Sequence, residues 1–179
     1  MTPLTIEDLL PLEEYAPRRR EFFDSHRRYV DQYRRVRIGP RLTLIFENRQ
    51  TLWFRVQEIV RVARLSDRDL VAQELELYNR LLPAGNLLQA ALLLDLGEDA
   101  APDWQRLDGA HLRLAVGDDE LASRLVTGRP EDRCVGTAHW VQFAFAPSDR
   151  SRFADFTLPA RFRFDDGRYT FSTNPLGDD

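Results

Sequence analysis

The stretch FENRQTLWFRVQEIVR, residues 46–61, joins a predicted strand to a predicted helix. Upstream of the helix, Arg41–Glu47 alternates apolar and polar residues, which is the pattern of a half-buried strand. Downstream, apolar residues recur at helical spacing: Leu52, Trp53, Val56, Ile59, Val60 and Ala63. This spacing predicts an amphipathic helix over about Gln50–Arg64. Asn48 lies between the two elements and is of a residue type that caps helix N-termini.

The rest of the N-terminal half is also predicted to be helical. Thr5 and Asp8 have the spacing of a capping box, so a short capped turn is expected before Pro11. An amphipathic helix is predicted over about Arg18–Val36, because its aromatic and aliphatic residues recur on one face. A third helix is predicted over about Ser66–Leu82, with the serine as its N-cap.

The C-terminal half has the composition of strands. The predicted strands are Leu87–Leu96, His111–Val116, Leu121–Thr127, Val135–Phe145, Thr157–Phe164 and Arg168–Ser172. Asp165-Asp166-Gly167 predicts a hairpin turn between the last two. Three main helices with one early strand, packed on a mostly antiparallel C-terminal sheet, give an α+β class. We expect a single domain over residues 1–179, with a helical half over about 1–85 and a β-rich half over about 86–175.

Composition excludes several classes of site. A single cysteine excludes an intramolecular disulfide and any four-cysteine zinc or iron–sulfur site. All 25 basic residues are arginines, so no P-loop lysine is present, and no other nucleotide-binding motif occurs. The acidic N-terminus lacks the features of a signal peptide, and no stretch approaches the ~20 apolar residues that span a bilayer. We therefore expect a cytoplasmic protein without a membrane span.

Charge is distributed unevenly along the chain. From Ala16 to Arg64 there are 13 arginines and 5 acidic residues, a local charge of +8. From Leu65 to Asp179 there are 12 arginines and 20 acidic residues, a local charge of −8. The arginines of the first helix could bind nucleic acid or an acidic partner protein. The sequence pI of about 5.5 and the absence of a recognition motif make nucleic acid the less favoured of the two.

Polar residues cluster around the quoted stretch and indicate a candidate site. Glu47 ends the predicted strand, Arg49 follows the predicted cap, and Gln57 flanks the apolar stripe of the helix. These side chains could meet Glu74 and Asn79 of the next helix and orient a small ligand or a partner. The candidate ligand- or partner-binding residues are Glu47, Asn48, Arg49, Trp53, Gln57, Glu58, Tyr78 and Asn79.

Three residues are also candidates for a metal site. His26 and Glu74 each lie within an apolar helical stripe, where a charged group needs a partner. Together with Glu47 they would form a mixed histidine and carboxylate set, which suits iron, manganese or zinc. Such a site requires three separate elements of the fold to converge.

A purely structural interpretation of the same residues stays open. Asn48 can cap the helix, and Glu58 can pair with Arg61 on the helix surface three residues later. Glu74 would then form an ion pair with an arginine of the first helix, and His26 would be a boundary histidine. Under this interpretation the quoted stretch is a turn followed by a solvated helix face.

Four motifs occur in the order DLLPLEEY, RRVRIGPRLTLIFENRQTLWFRVQEIVR, ELELYNRLLPAGNLLQAALLLDL and WVQFAF. Together they resemble a bacterial family of unknown function whose genes tend to lie beside genes for a rubrerythrin-like protein and an iron–sulfur oxidoreductase. The resemblance extends over about Leu4–Phe145 and is most specific at Phe46–Glu58 and Tyr78–Pro83. It implies a role in peroxide defence or electron transfer, exerted through a partner. It implies no catalytic residue.

One position departs from the pattern expected of that family. Where the family is expected to have W-x-Q-I-Q-E, this chain has Trp53-Phe54-Arg55-Val56-Gln57-Glu58. Arg55 therefore replaces a glutamine. If that position binds a ligand in the family, the contact is altered here.

Three functional hypotheses follow. The first is an accessory protein of a redox or iron system, which engages a partner through the arginine-rich helix and the Glu47–Glu58 region. The second is a metal-dependent or small-ligand-binding enzyme with its site between the helices. The third is a nucleic-acid-binding module. Whether the protein is an enzyme stays open at this point.

Overall fold

The structure, a computed structural model, describes residues 1–94, 107–126, 138–147, 149–155 and 157–177. The chain forms two compact units. The helical unit contains Met1–Arg34 and Glu47–Ala84, and the β unit contains Arg35–Phe46 and Gly85–Asp179. The predicted α+β class is confirmed. That the whole chain is a single domain stays a prediction.

The helical unit contains a 3₁₀ turn, Ile6–Asp8, and three helices: α1, Leu12–Tyr33; α2, Arg49–Val62; and α3, Arg68–Asn79. The capped turn predicted near the N-terminus is confirmed, since the Thr5 N–H donates to the Asp8 carboxylate at 2.7 Å. The predicted start of α1 at Arg18 is wrong, because the helix begins at Leu12 and runs through Pro17. A proline removes one helical N–H, and Tyr15, buried within the first turns, provides packing that offsets the loss.

Side-chain caps define where two of these helices begin. The prediction of Asn48 as the cap of α2 is confirmed: its side chain accepts from the Thr51 N–H, and the Thr51 hydroxyl accepts from the Asn48 N–H, both at 2.9 Å. The predicted cap of α3 is wrong by one residue. Asp67, not Ser66, caps α3: its side chain accepts from the N–H of Asp69, the second residue of the helix.

Aromatic side chains pack α1 against α2. The Phe22 ring stacks on Tyr15 at 5.3 Å between ring centroids and meets the edge of Trp53 at 5.5 Å. Leu52 and Val56 of α2 are fully buried beside them. No helix among the described residues has both the length and the apolar character needed to cross a membrane.

The described strands of the β unit are β1, Arg35–Ile38; β2, Leu42–Phe46; β3, Leu87–Leu94; β4, Leu112–Val116; β5, Asp119–Ala122; β6, Arg124–Leu125; β7, Ala138–Ala144; β8, Ala160–Asp165; and β9, Thr170–Ser172. A 3₁₀ turn, Gly109–His111, precedes β4, and a short helix, α4, spans Arg150–Phe153. One sheet has the order β1-β2-β3-β7-β6 and the other β5-β4-β8-β9. All the pairs among these described strands are antiparallel.

The two sheets share one hydrophobic core within the β unit. Leu44 and Leu92 of the first sheet are buried in the same cluster as Leu114 and Phe164 of the second. The Phe162 ring lies 5.4 Å from the ring of Phe46, which joins the sheets directly. The alternation of buried and exposed residues along β4 and β8 explains why sequence pattern alone located both strands.

Two details of the predicted β structure are wrong. The first helix was predicted to continue to about Val36, but Arg35–Ile38 forms β1 and pairs with β2, because Val36 and Ile38 alternate with exposed or half-buried arginines. The hairpin turn between β1 and β2 contains Gly39, whose φ of 64° is readily adopted by glycine. The strand predicted over Leu121–Thr127 is divided at Ser123, so that β5 and β6 belong to different sheets. The predicted pairing of the last two strands across Asp165–Gly167 is confirmed.

Candidate functional site

Gln57 is fully buried in the helical unit, and both polar atoms of its side chain bind Leu10. Its Nε2 donates to the Leu10 carbonyl and its Oε1 accepts from the Leu10 N–H, each at 2.9 Å. The exposed fraction of Gln57 is 0%. Because Gln57 is rigidly placed on α2, this two-way contact fixes the main chain of Leu10 in position.

Asn79 makes the same kind of contact with Leu4, six residues before Leu10 in the chain. Its Oδ1 accepts from the Leu4 N–H at 2.8 Å, and its Nδ2 donates to the Leu4 carbonyl at 2.9 Å. The side chain of Leu4 is also buried, with 3% of the residue exposed. Between these two contacts, Trp53 Nε1 donates to the Asp8 carbonyl at 2.8 Å.

Arg49 adds a main-chain contact and a charged contact to the same N-terminal residues. Arg49 donates through Nε to the Thr2 carbonyl at 3.2 Å and pairs with the Asp8 carboxylate at 2.6 Å. Arg49 and the Thr5 N–H hold the pKa of Asp8 below its ordinary value. Arg49, Trp53, Gln57 and Asn79, all candidates from the sequence, therefore bind residues 2–10 of their own chain, which we call the N-terminal segment.

Glu58 lies at the centre of a separate ionic network between α1 and α2. Arg19 and Arg61 each contact both of its carboxylate oxygens, with closest distances of 2.8 and 3.0 Å, and the Tyr15 hydroxyl donates at 2.8 Å. Burial opposes ionisation of Glu58, but these donors outweigh it and lower its pKa to about 2. Burial and the neighbouring carboxylate raise the pKa of Tyr15.

Glu47 and Asn48 belong to the junction that precedes α2. The side chain of Glu47 is fully buried, and it accepts from the Thr51 hydroxyl at 2.5 Å and pairs with Arg55 at 2.9 Å. Asn48 Nδ2 donates to the Tyr29 hydroxyl at 2.7 Å. Arg55, the departure from the expected family pattern, is thus the ion-pair partner that a buried Glu47 requires.

The predicted metal set is not brought together. His26 stacks on the Phe54 ring at 4.0 Å, Glu74 is half-buried on α3, and Glu47 is engaged as described. Within the described ranges, no three His, Cys, Asp or Glu side chains form a group that could hold a metal ion. Those ranges also contain no ion pair for Glu74, so the arginine partner expected for it is not found there.

The remaining candidate, Tyr78, is half-buried near the end of α3, and its carbonyl accepts from the Leu81 N–H at 2.9 Å. Sequence reasoning missed the N-terminal segment as the group that the amide side chains bind. It also missed Tyr15, Arg19 and Tyr29 as partners of Glu58 and Asn48. The helical spacing of α2 offered one signal, because Gln57 is four residues from Trp53 and therefore faces the same side.

The chain matches, over residues 3–178, the model of a family described as "Protein of unknown function (DUF3501)". The chain belongs to this family. No curated protein matches it. A crystal structure of a novel protein of unknown function from Burkholderia pseudomallei K96243 is similar, with a TM-score of 0.83 and 23% sequence identity over 98% of this chain and 94% of that one. At this identity the similarity shows a common fold.

Proposed function

We propose that this protein is an accessory protein of a redox or iron system and that it binds a partner protein through the exposed side of α1. The observation that carries the proposal is the exposure of Phe23, at 42%, among arginines. Arg19 lies over the Phe23 ring at 5.7 Å from its centroid, and Arg20 and Arg27 are the residues one helical turn before and after it. We call these four residues the Phe23 patch.

The composition of the Phe23 patch supports a protein partner. Aromatic residues and arginines are enriched among the residues that dominate binding energy in protein interfaces. Arg20 and Arg27 are exposed, and Phe54 of α2 extends the apolar surface with its ring 6.3 Å from Phe23. A partner with an apolar cleft bordered by acidic residues would complement this surface in shape and charge.

The resemblance noted in the sequence suggests the identity of the partner. It implies a rubrerythrin-like protein or an iron–sulfur oxidoreductase, and these are the two proteins we propose as binding partners. Neither the metal-dependent enzyme nor the nucleic-acid-binding module gains a specific observation from the described residues. Binding to a redox protein is therefore the function we put forward.

The test is a binding measurement with the purified rubrerythrin-like protein and iron–sulfur oxidoreductase of the same organism. We expect saturable binding to at least one of them by biolayer interferometry. Replacing Phe23 with serine or Arg27 with glutamate should weaken it at least about tenfold, because each change removes a contact of the hot-spot type. The association rate should also fall as salt is raised, since the contact is partly electrostatic.

A matched control is Arg168→Glu, which makes the same charge change at an exposed arginine of the β unit. It should leave the affinity unchanged. Because Phe23 and Arg27 are exposed, the circular dichroism spectra of their variants should match that of the unmodified protein. Absence of binding to both redox proteins, or equal weakening by Arg168→Glu, would contradict the proposal.

A further inference from the structure

The N-terminal segment is held mainly by its main chain. Of residues 2–10, Leu4 is buried, while Ile6, Leu9 and Leu10 are only half-buried. Five hydrogen bonds nevertheless connect the main chain of Leu4, Asp8 and Leu10 to side chains of α2 and α3. A segment that belonged to the core would bury several apolar side chains completely. This pattern is that of a bound peptide.

The chemistry of these contacts is suited to peptides in general. A glutamine or asparagine side chain presents one donor and one acceptor side by side, so it pairs with the N–H and carbonyl of a single residue as a neighbouring strand would. Affinity in such complexes comes from main-chain hydrogen bonds, and selectivity comes from the few side chains that are also contacted. Here those side chains are Leu4, which is buried, and Asp8, which pairs with Arg49.

We propose that Arg49, Trp53, Gln57 and Asn79 form a binding site for an acidic peptide of a partner protein, with the N-terminal segment as its built-in competitor. The ligand has an aliphatic residue at the place of Leu4, a carboxylate four residues later, and a peptide unit six residues later. This site is separate from the Phe23 patch. The present proposal does not depend on the function proposed for that patch.

Charge complementarity favours an acidic ligand. Arg49 pairs with Asp8, and Arg68 of α3 pairs with Glu7 at 3.2 Å, so both acidic residues of the segment meet arginines of the helical unit. The Glu7 pair is exposed on both sides and contributes little. Leu4 is the one buried side chain of residues 2–10, and segments with few buried apolar side chains open locally more readily than the rest of a fold.

The N-terminal segment competes with any added peptide and has a higher effective concentration, so the test must remove this advantage. A segment joined directly to α1 has an effective concentration in the millimolar range, so a free peptide at micromolar concentration cannot displace it. Replacing Leu4 with serine in the full-length protein removes the apolar anchor and leaves all four residues of the site unchanged. The probe is a fluorescein-labelled synthetic peptide with the sequence of residues 2–10, TPLTIEDLL, and the readout is fluorescence anisotropy.

We expect the Leu4→Ser protein to bind the peptide at least about tenfold more tightly than the unmodified protein does. Adding Asn79→Ala should weaken that binding about tenfold or more, because two hydrogen bonds to the peptide main chain are lost. Adding Gln73→Ala, an exposed amide on the same helix, should not change it. A peptide with asparagine in place of its aspartate should bind less tightly, since it cannot pair with Arg49.

Three outcomes would overturn the proposal. The first is no saturable binding to the Leu4→Ser protein, and the second is binding that Asn79→Ala leaves unchanged. The third is a doubled mass of the Leu4→Ser or unmodified protein by light scattering that Asn79→Ala abolishes. That result would make the N-terminal segment of a second copy, and not a partner peptide, the ligand of the site.

Discussion

Replacing Glu58 with glutamine is expected to lower the free energy of unfolding by roughly 2–3 kcal/mol at pH 7. The substitution preserves the shape of the side chain but removes the charge that Arg19, Arg61 and the Tyr15 hydroxyl contact. Only 19% of the Glu58 side chain and 29% of the Arg61 side chain are exposed, so the unpaired Arg61 guanidinium cannot recover full hydration and the loss exceeds that of a surface ion pair. Urea denaturation of the two proteins gives the difference.

The pH dependence of that difference in stability distinguishes the contribution of Glu58 from those of the other carboxylates. Its pKa is about 2 in the folded protein and near 4.5 in the unfolded chain, so the carboxylate stabilises the fold above pH 4.5. This contribution decreases as the pH falls from about 4.5 towards 2. The gap in stability between the unmodified protein and Glu58→Gln should therefore be constant from pH 7 to 5 and become smaller at pH 4 and pH 3.

Glu21→Gln is the matched control for this experiment. Glu21 pairs with Arg18 at 3.2 Å on α1, but both side chains are exposed, and such pairs contribute about 0–1 kcal/mol. The control should change the stability little at any pH. An effect of Glu58→Gln no larger than that of Glu21→Gln would show that the network at Glu58 does not stabilise the helical unit.

Replacing Gly109 with alanine is expected to destabilise the β unit by about 3 kcal/mol or more. A Cβ at this position would overlap Arg124 Cα and lie 2.5 Å from Leu125 N, and both are main-chain atoms of β6. Main chain cannot rotate out of the way as a side chain can, so β6 would have to move. The carbonyl of Gly109 also accepts from the buried Ser123 hydroxyl at 2.7 Å, and this bond would be strained.

Gly85→Ala serves as the control for Gly109→Ala. A Cβ at Gly85 meets nothing within 4 Å, and its cost comes from a φ of 60°, about 1 kcal/mol. Thermal unfolding followed by near-ultraviolet circular dichroism compares the two variants. Equal stability of Gly109→Ala and Gly85→Ala would mean that β6 does not approach Gly109 as closely as described.

The fold class was accessible from the sequence because it depends on local periodicity. The alternation in Arg41–Glu47 and the helical spacing after it are enough to locate β2 and α2, and the last hairpin follows from Asp165–Gly167. The strand β1 was missed because Arg35–Ile38 is short and directly follows a long helix. Its strand conformation depends on pairing with β2, which is information that a helical pattern does not contain.

Only half of the candidate site could be predicted from the sequence, for a related reason. Amide and charged residues on helical faces could be selected from the sequence, but the groups that they bind could not. Leu10 is 47 residues from Gln57, and Leu4 is 75 residues from Asn79. The bound atoms also belong to the main chain, which every residue has. No side-chain pattern in the N-terminal segment therefore marks it as their partner.

Hydrogen–deuterium exchange of the N-terminal segment tests most directly whether the amide side chains hold it. We expect the amide hydrogens of Leu4 and Leu10 to exchange at least about 100-fold more slowly than in the free peptide TPLTIEDLL, because each is bound by a side-chain oxygen. In Asn79→Ala the Leu4 amide should lose this protection, while the strands of the β unit keep theirs. Exchange of both amides at the rate of the free peptide would contradict the role of Gln57 and Asn79 in holding the N-terminal segment.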